Sequence, residues 1–321
     1  MKSSLRLALL SLFLAFGIQS VHAAYPERQV RIVLPYAAGG GGDVLTRLIG
    51  ASLSERWKQP VIIDNRPGAG ATIGTDMVAK APADGYTLLM TASTMAVSPA
   101  AYPNLPYDVL KDFAPITLVA QSPYILTTSA NLKVASVSEL LALARKEPGK
   151  LNYGSPGKGT ISHLTFELLR HRTGMDATVV AYKGSNPALI AALAGEIDFV
   201  IDTPAAVMQH VEAKKLRALA VMSSKRAESV PEVPSMTEAG VKDVDVVVWF
   251  GLLAPAGTPP DIVRKIQVDT AQVLASPEVV GRLRQNGLEV VTSQPEEFGS
   301  YLRSEVDKWA EVVKKANIKF D

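Results

Sequence analysis

The chain has no cysteine, so neither disulfides nor thiolate metal sites can stabilise it. It has little excess of either charge, with 33 Lys and Arg facing 31 Asp and Glu, which argues against nucleic acid or an anionic membrane surface as partner. Histidine is scarce, and His163, His171 and His210 are not spaced as metal ligands. No apolar run reaches the roughly 20 residues needed to span a bilayer. Enzyme signatures are missing too. The loop Gly39–Gly42 lacks the Gly-Lys-Ser/Thr ending of a nucleotide-binding loop. Gly154-Ser155-Pro156-Gly157 is not a nucleophile elbow, because a proline after the serine has no N–H for an oxyanion hole. No catalytic residue, metal or cofactor is expected.

What is present begins with a leader. Lys2 and Arg6 precede an apolar stretch from Leu7 to Ile18, and Val21-His22-Ala23 provides the small-residue end of an export signal. Residues 1–23 therefore read as a signal peptide cleaved after Ala23, placing the protein in the periplasm. With no cysteine to carry a lipid, the exported form is expected to be soluble. Losing Lys2 and Arg6 leaves basic and acidic residues balanced at 31 each. About 300 residues remain, the length at which one core tends to divide into two.

Along the chain, strand and helix patterns alternate. Val30–Leu34 is a strand, Ala37–Gly42 a glycine-rich loop, and Asp43 opens a helix with apolar positions Val44, Leu45, Leu48, Ile49 and Leu53 at the 3.6 period. Strands at Val61–Ile63 and Tyr86–Met90 bracket a helix from Thr72 to Lys80. A second series follows Pro123. Ser136 and Glu139 form a capping box, Leu151–Tyr153 is a strand, and Ile161–Arg172 is a helix. Thr178–Tyr182 is a strand, a helix starts at Pro187, and Ile197–Ile201 and Leu216–Val221 are further strands. The C-terminal third is mainly helical. This order predicts an α/β fold of two lobes, each a mostly parallel sheet flanked by helices. Two long extended segments, Ile116–Thr128 and Val244–Ala254, supply the two crossings. Lobe one is then 24–122 plus 250–321, and lobe two 123–249.

Three loops share one design, a strand that ends in small residues before a helix begins. Glycine allows a ligand to approach the backbone closely, and the first helical turn offers free N–H groups to an anion. In such sheets ligands sit at the carboxyl ends of strands. The first loop offers Tyr36, Ala38, Gly39, Gly40 and Gly41, and the second Ser155, Gly159 and Thr160 with His163 in the following turn. The third offers Lys183 and Gly184. Ser93 and Thr94 follow the Tyr86–Met90 strand as hydroxyl donors. Asp202 stands either as a ligand group or as a cap ahead of Pro204, and Trp249 either as cleft floor or as core. Asp43 reads as a helix cap. Gly68-Ala69-Gly70-Ala71-Thr72-Ile73-Gly74 is one residue too long for a dinucleotide turn and reads as close helix–strand packing.

Taken in order, several stretches resemble the periplasmic receptors of tripartite tricarboxylate transporters, the Bug family. They include Pro35-Tyr36-Ala37-Ala38-Gly39-Gly40 with Asp43 and Arg47, Asn65-Arg66-Pro67-Gly68-Ala69-Gly70, and Asp84-Gly85-Tyr86-Thr87-Leu88. Gly154–Leu164, Tyr182-Lys183-Gly184-Ser185 and Trp249-Phe250-Gly251 through Pro259 continue the match. The resemblance implies a type II periplasmic-binding fold, a monomer that captures a small mono- or dicarboxylate, and membrane transporter subunits as partners. It also implies that backbone N–H groups and ordered waters hold the acid. One departure is that Gly41 and Gly42 stand where the family usually has Ser or Thr. A ligand sensor for a membrane signalling partner, or a secreted two-lobed enzyme, are the alternative readings.

Overall fold

The computed structural model describes residues 25–318 apart from Ala37, Gly40, Pro103, Lys158 and Lys183. The leader with its cleavage point, and the expected ligand residues Gly40 and Lys183, lie outside the described residues. Among the described residues eleven strands form two sheets. The first contains β1 (Val30–Leu34), β2 (Val61–Asn65), β3 (Thr87–Ala92), β4 (Phe113–Pro123), β10 (Val247–Pro255) and β11 (Glu289–Val290), in the order β11-β4-β10-β3-β1-β2. The second contains β5 (Ile125–Ser129), β6 (Leu151–Ser155), β7 (Ala177–Ala181), β8 (Phe199–Asp202) and β9 (Leu216–Val221), in the order β7-β6-β8-β5-β9.

Parallel pairing holds where strand–helix alternation predicts it, at β1–β2, β1–β3, β6–β7 and β6–β8. Both sheets are nevertheless mixed. β10 runs antiparallel to β3 and β4, and β5 runs antiparallel to β8 and β9. The reversals occur where the chain passes between sheets. β4 ends at Pro123, which pairs with Val247 at the start of β10. One residue further on, the Met222 N–H donates to the Tyr124 carbonyl at 2.7 Å, and the Val246 N–H to the Met222 carbonyl at 2.7 Å. The two passages therefore lie side by side, and Val247–Trp249 pair within the first sheet.

The helices are α1 (Gly41–Trp57), α2 (Thr72–Ala79), α3 (Thr94–Ala101), α4 (Val137–Lys146), α5 (Ile161–Thr173), α6 (Ser185–Ala194), α7 (Pro204–Glu212), α8 (Pro260–Leu274), α9 (Pro277–Gln285) and α10 (Pro295–Lys315). The α4 cap is as its sequence predicts, with the Glu139 N–H donating to Ser136 Oγ at 3.2 Å. Two helix starts differ from the pattern reading. α1 begins at Gly41, so Asp43 lies in its first turn instead of capping it. α6 begins at Ser185 after Gly184, two residues before Pro187. A proline is tolerated throughout the first turn, where its missing N–H has no intrahelical partner to lose.

Helix α5 joins the two halves. Ile161 through Leu169 are all buried. Phe166 and Leu169 pack in the core of the second sheet, with a stacked Tyr153–Phe166 pair at 4.4 Å. Ile161, Leu164 and Leu168 instead join a core that includes Val97 of α3, Trp249 of β10, and Trp309 and Val312 of α10. One helix thus buries both flanks, and separating the halves would expose its second apolar face to water. Among the described residues no helix is long and apolar enough to cross a membrane.

Candidate functional site

Among the cavities lined by residues of both halves, two are the larger ones. The larger, about 610 Å³, is lined by charged groups such as Arg226, Glu289, Glu305 and Lys308. Most of these already have protein partners. Arg226 pairs with Glu238, Lys308 with Glu305, and Glu289 accepts from the Ser229 N–H at 3.0 Å and its hydroxyl at 2.9 Å. This crevice is a structural seam. The smaller cavity, about 420 Å³, is lined from both halves: Tyr36 and Thr94 beyond β1 and β3, and Gly159 and Thr160 beyond β6. It lies at the carboxyl ends of those strands, where helix N-termini converge, and we take it as the functional site.

On the first-sheet side a hydrogen-bonded network sets the loop. Tyr36 Oη accepts from the Ala92 N–H at 3.2 Å and lies 2.6 Å from Thr94 Oγ1. Burial raises the Tyr36 pKa, so its hydroxyl stays protonated. Ala92 fills one of the phenol's two acceptor positions, and either hydroxyl can donate across the Tyr36–Thr94 contact. Below the loop, the buried Asp43 carboxylate accepts from Arg47 Nε at 2.9 Å, from the Gly39 N–H at 3.0 Å and from Asn65 Nδ2 at 3.0 Å. Asn65 also donates to the Tyr36 carbonyl at 3.1 Å. Part of the loop's anion-binding capacity is thereby taken up by the protein's own carboxylate. Arg47 above all, with the Gly39 and Asn65 donors, outweighs burial and holds the Asp43 pKa at about 2.

A group with a depressed folded-state pKa stabilises above its unfolded value, and that contribution is lost as pH falls through the folded one. Wild-type stability should therefore decline between pH 4 and pH 2, in part through Asp43, whose ordinary value is 3.8. Asp43→Asn should remove about 1 kcal/mol of that decline, less than the full shift implies because Arg47 is half in solvent. Thermal melts of both proteins across this window check it; equal acid slopes would contradict the network.

On the second-sheet side the loops fasten one another. The Gly184 N–H donates to the Pro156 carbonyl at 2.9 Å, and the Tyr182 N–H to the Ser155 carbonyl at 2.8 Å. Ser155 is buried and donates to the Gly157 carbonyl at 3.0 Å. Gly159, at φ 76°, donates its N–H to His163 Nδ1 at 2.9 Å. The imidazole thus accepts at Nδ1, which puts its proton on Nε2, 3.7 Å from Glu167 Oε1. His163 acts on the loop's backbone instead of lining the cavity. Asp202 accepts from the Thr203 N–H at 2.8 Å, and burial raises its pKa against that bond and one from Ser185. The cap of α7 is Thr203.

Of the residues expected at the site, Tyr36, Thr94, Gly159 and Thr160 line the cavity. Ala38 and Gly39 are exposed on the preceding turn, and Gly41 starts α1. Ser93 is buried, its N–H donating to the Trp249 carbonyl at 3.0 Å. Trp249 is core: 1% exposed, it donates from Nε1 to Glu305 at 3.2 Å and meets Phe298 edge-on at 5.7 Å. The pattern reading missed the wall formed by Pro67, Gly68, Gly70 and Ala71, and by Val97, Ser98, Ala101 and Tyr102. The Gly68–Gly74 turn serves both purposes. A Cβ on Gly74 would come within 2.7 Å of the Arg66 carbonyl and 2.9 Å of Pro35, which is the close packing expected. Gly68 and Gly70 border the cavity. A glycine turn at the end of β2, on the same sheet edge as the other loops, was the available signal. Among the described residues no group of His, Asp and Glu is arranged to hold a metal ion.

A family model for the tripartite tricarboxylate transporter family receptor matches residues 45–318. Protein BugT of Bordetella pertussis is 36% identical over 318 residues, 98% of each chain. Among solved structures, an R. palustris protein with adipate is 36% identical with a TM-score of 0.78, over 92% of this chain and 99% of that one. MatC from Rhodopseudomonas palustris, with bound malate, is 32% identical with a TM-score of 0.74, over 90% of this chain and 100% of that one.

Proposed function

The chain belongs to the tripartite tricarboxylate transporter receptor family, and from that premise we propose that it captures one small organic acid between its two halves and hands it to the membrane subunits of such a transporter. The protein works without a catalytic step, as a monomer exported by its leader. The observation that carries this reading is the cavity lined at once by Tyr36 and Thr94 from one half and Gly159 and Thr160 from the other. Neither half alone surrounds a ligand there. Binding energy available only when both meet favours the joined arrangement by that difference in affinity. The pivot is the paired crossing at Tyr124 and Val246. The acids in the two R. palustris structures, adipate and malate, are of the class expected.

The energetics suit release as well as capture. Micromolar affinity needs roughly −8 kcal/mol, and charge-assisted hydrogen bonds contribute about 1.5–3 kcal/mol each. A few aligned backbone donors, less the cost of ordering, reach that value without a buried counter-ion. The test is a panel of carboxylates in thermal melts. A cognate acid at about 100 times its dissociation constant should add about 2.7 kcal/mol, a rise of several degrees at roughly 2–4 °C per kcal/mol. If no mono-, di- or tricarboxylate moves the midpoint, the receptor reading fails.

A further inference from the structure

The side chains around the cavity restrict which acid fits. Among the described residues its lining contains no charged side chain. Its hydroxyls are mostly committed elsewhere. Ser98 Oγ donates to the Thr94 carbonyl at 3.0 Å, and Thr160 Oγ1 donates to the Gly157 carbonyl at 2.8 Å. The Thr94 hydroxyl, in contact with Tyr36, remains within reach of a ligand, together with those first-turn N–H groups of α3 and α5 that the protein does not use itself. The His163 N–H is taken by Thr160 Oγ1 at 3.3 Å and the Ala96 N–H by the Ser93 carbonyl at 3.1 Å. The rest of the lining includes Pro67, Val97, Ala101 and Tyr102, with the glycine turn at Gly68 and Gly70.

Large apolar side chains in and beside the lining are exposed. Tyr102 is 40% exposed and Ile73 55%. Ile73 covers Gly68, whose Cβ, if present, would come within 2.6 Å of Ile73 Cδ1. A Cβ on Gly70 would come within 2.0 Å of the Tyr102 hydroxyl, so glycine there is what lets the phenol lie against the turn. Large exposed apolar side chains grouped at a cleft mark a surface that something covers.

Resting on the receptor reading, we infer that the ligand is a monocarboxylate with an apolar body, of the benzoate or hexanoate kind, and not a hydroxylated di- or tricarboxylate. Its carboxylate faces Thr94 and the helix N-termini, and its body lies against Val97, Ala101 and Tyr102. A second or third carboxylate among these residues would find only the Tyr102 hydroxyl and the backbone of the Gly68–Ala71 turn to replace its water.

Titration calorimetry on the full exported chain with benzoate, hexanoate, malate and citrate tests this. Benzoate or hexanoate is expected to bind at least about tenfold tighter than malate and citrate, a difference of about 1.4 kcal/mol. Tyr102→Ser should weaken the apolar acid about tenfold through lost ring contact, with a melting midpoint close to wild type. If malate or citrate binds more tightly than both apolar acids, the inference is overturned and the receptor reading survives. An apolar acid that binds Tyr102→Ser as tightly as wild type would also overturn it. Failure of all four acids to bind would overturn the inference, and the receptor reading falls with it only if the wider carboxylate panel also leaves the melting midpoint unmoved.

Discussion

Replacing Asp269 with alanine is expected to lower the melting midpoint by about 6–12 °C while leaving ligand affinity unchanged at temperatures where the protein is folded. Asp269 is 2% exposed on α8 and accepts from Trp57 Nε1 at 2.6 Å and Arg56 Nε at 2.7 Å, with Lys265 one helical turn away completing the cluster. Burial opposes its ionisation, but the Lys265, Arg56 and Trp57 donors prevail and its pKa is lowered. Alanine leaves the buried indole N–H of Trp57 without an acceptor and detaches the end of α1 from α8. Losing one partner of such a cluster costs about 3 kcal/mol. Trp57 closes a 17-residue helix whose other end adjoins the site, a separation of about 25 Å. A thermal melt and a titration on the same variant separate the two effects. A midpoint within 2 °C of wild type would mean the cluster is solvated after all.

Gly159→Val should abolish useful binding in a protein that still folds. Gly159 sits at φ 76°, which a β-branched residue adopts only at a cost of about 1–3 kcal/mol. Relief requires the loop to rotate, which breaks the Gly159–His163 bond and turns the α5 N-terminus away from the ligand. The affinity loss expected is on the order of 100-fold, about 2.7 kcal/mol. Gly257→Val is the control. Gly257 also has positive φ, at 82°, but lies beyond the far end of β10 next to Ala83. It should lower stability to a similar degree and leave affinity alone. If Gly159→Val binds like wild type, the second-sheet loop is only a connector.

Much of the framework was legible from local pattern. Val30–Leu34 is a strand with the bounds its apolar run suggested, and the glycine loops lie at one edge of their sheets because each follows a parallel strand. What escaped depended on long-range contacts. Asp43 looks like a cap because Asp commonly caps; its bond to Arg47 is a local pair one helical turn away, but its bond to Asn65 appears only once β2 lies beside β1. Helix α3 was missed because it has eight residues and an internal proline at 99. Its Val97 and Ala101 form the apolar wall, so the lost helix took the site's character with it. α5 looks amphipathic because Ser162, His163, Thr165 and Glu167 interrupt its apolar positions, yet all four are buried between two cores. Trp249 lies on a crossing strand as expected, but nothing local reveals that α10 covers its face.

The central claim is that the acid draws the two halves together across the cavity and the α5 seam. Small-angle scattering, with and without the acid that gives the largest melting shift, tests it most directly. The account predicts a smaller radius of gyration in the bound protein, with a bound curve matching this structure and a free curve that is more extended. Tight binding with superimposable free and bound curves would contradict it, and would mean a site served by one half or a receptor closed before its ligand arrives.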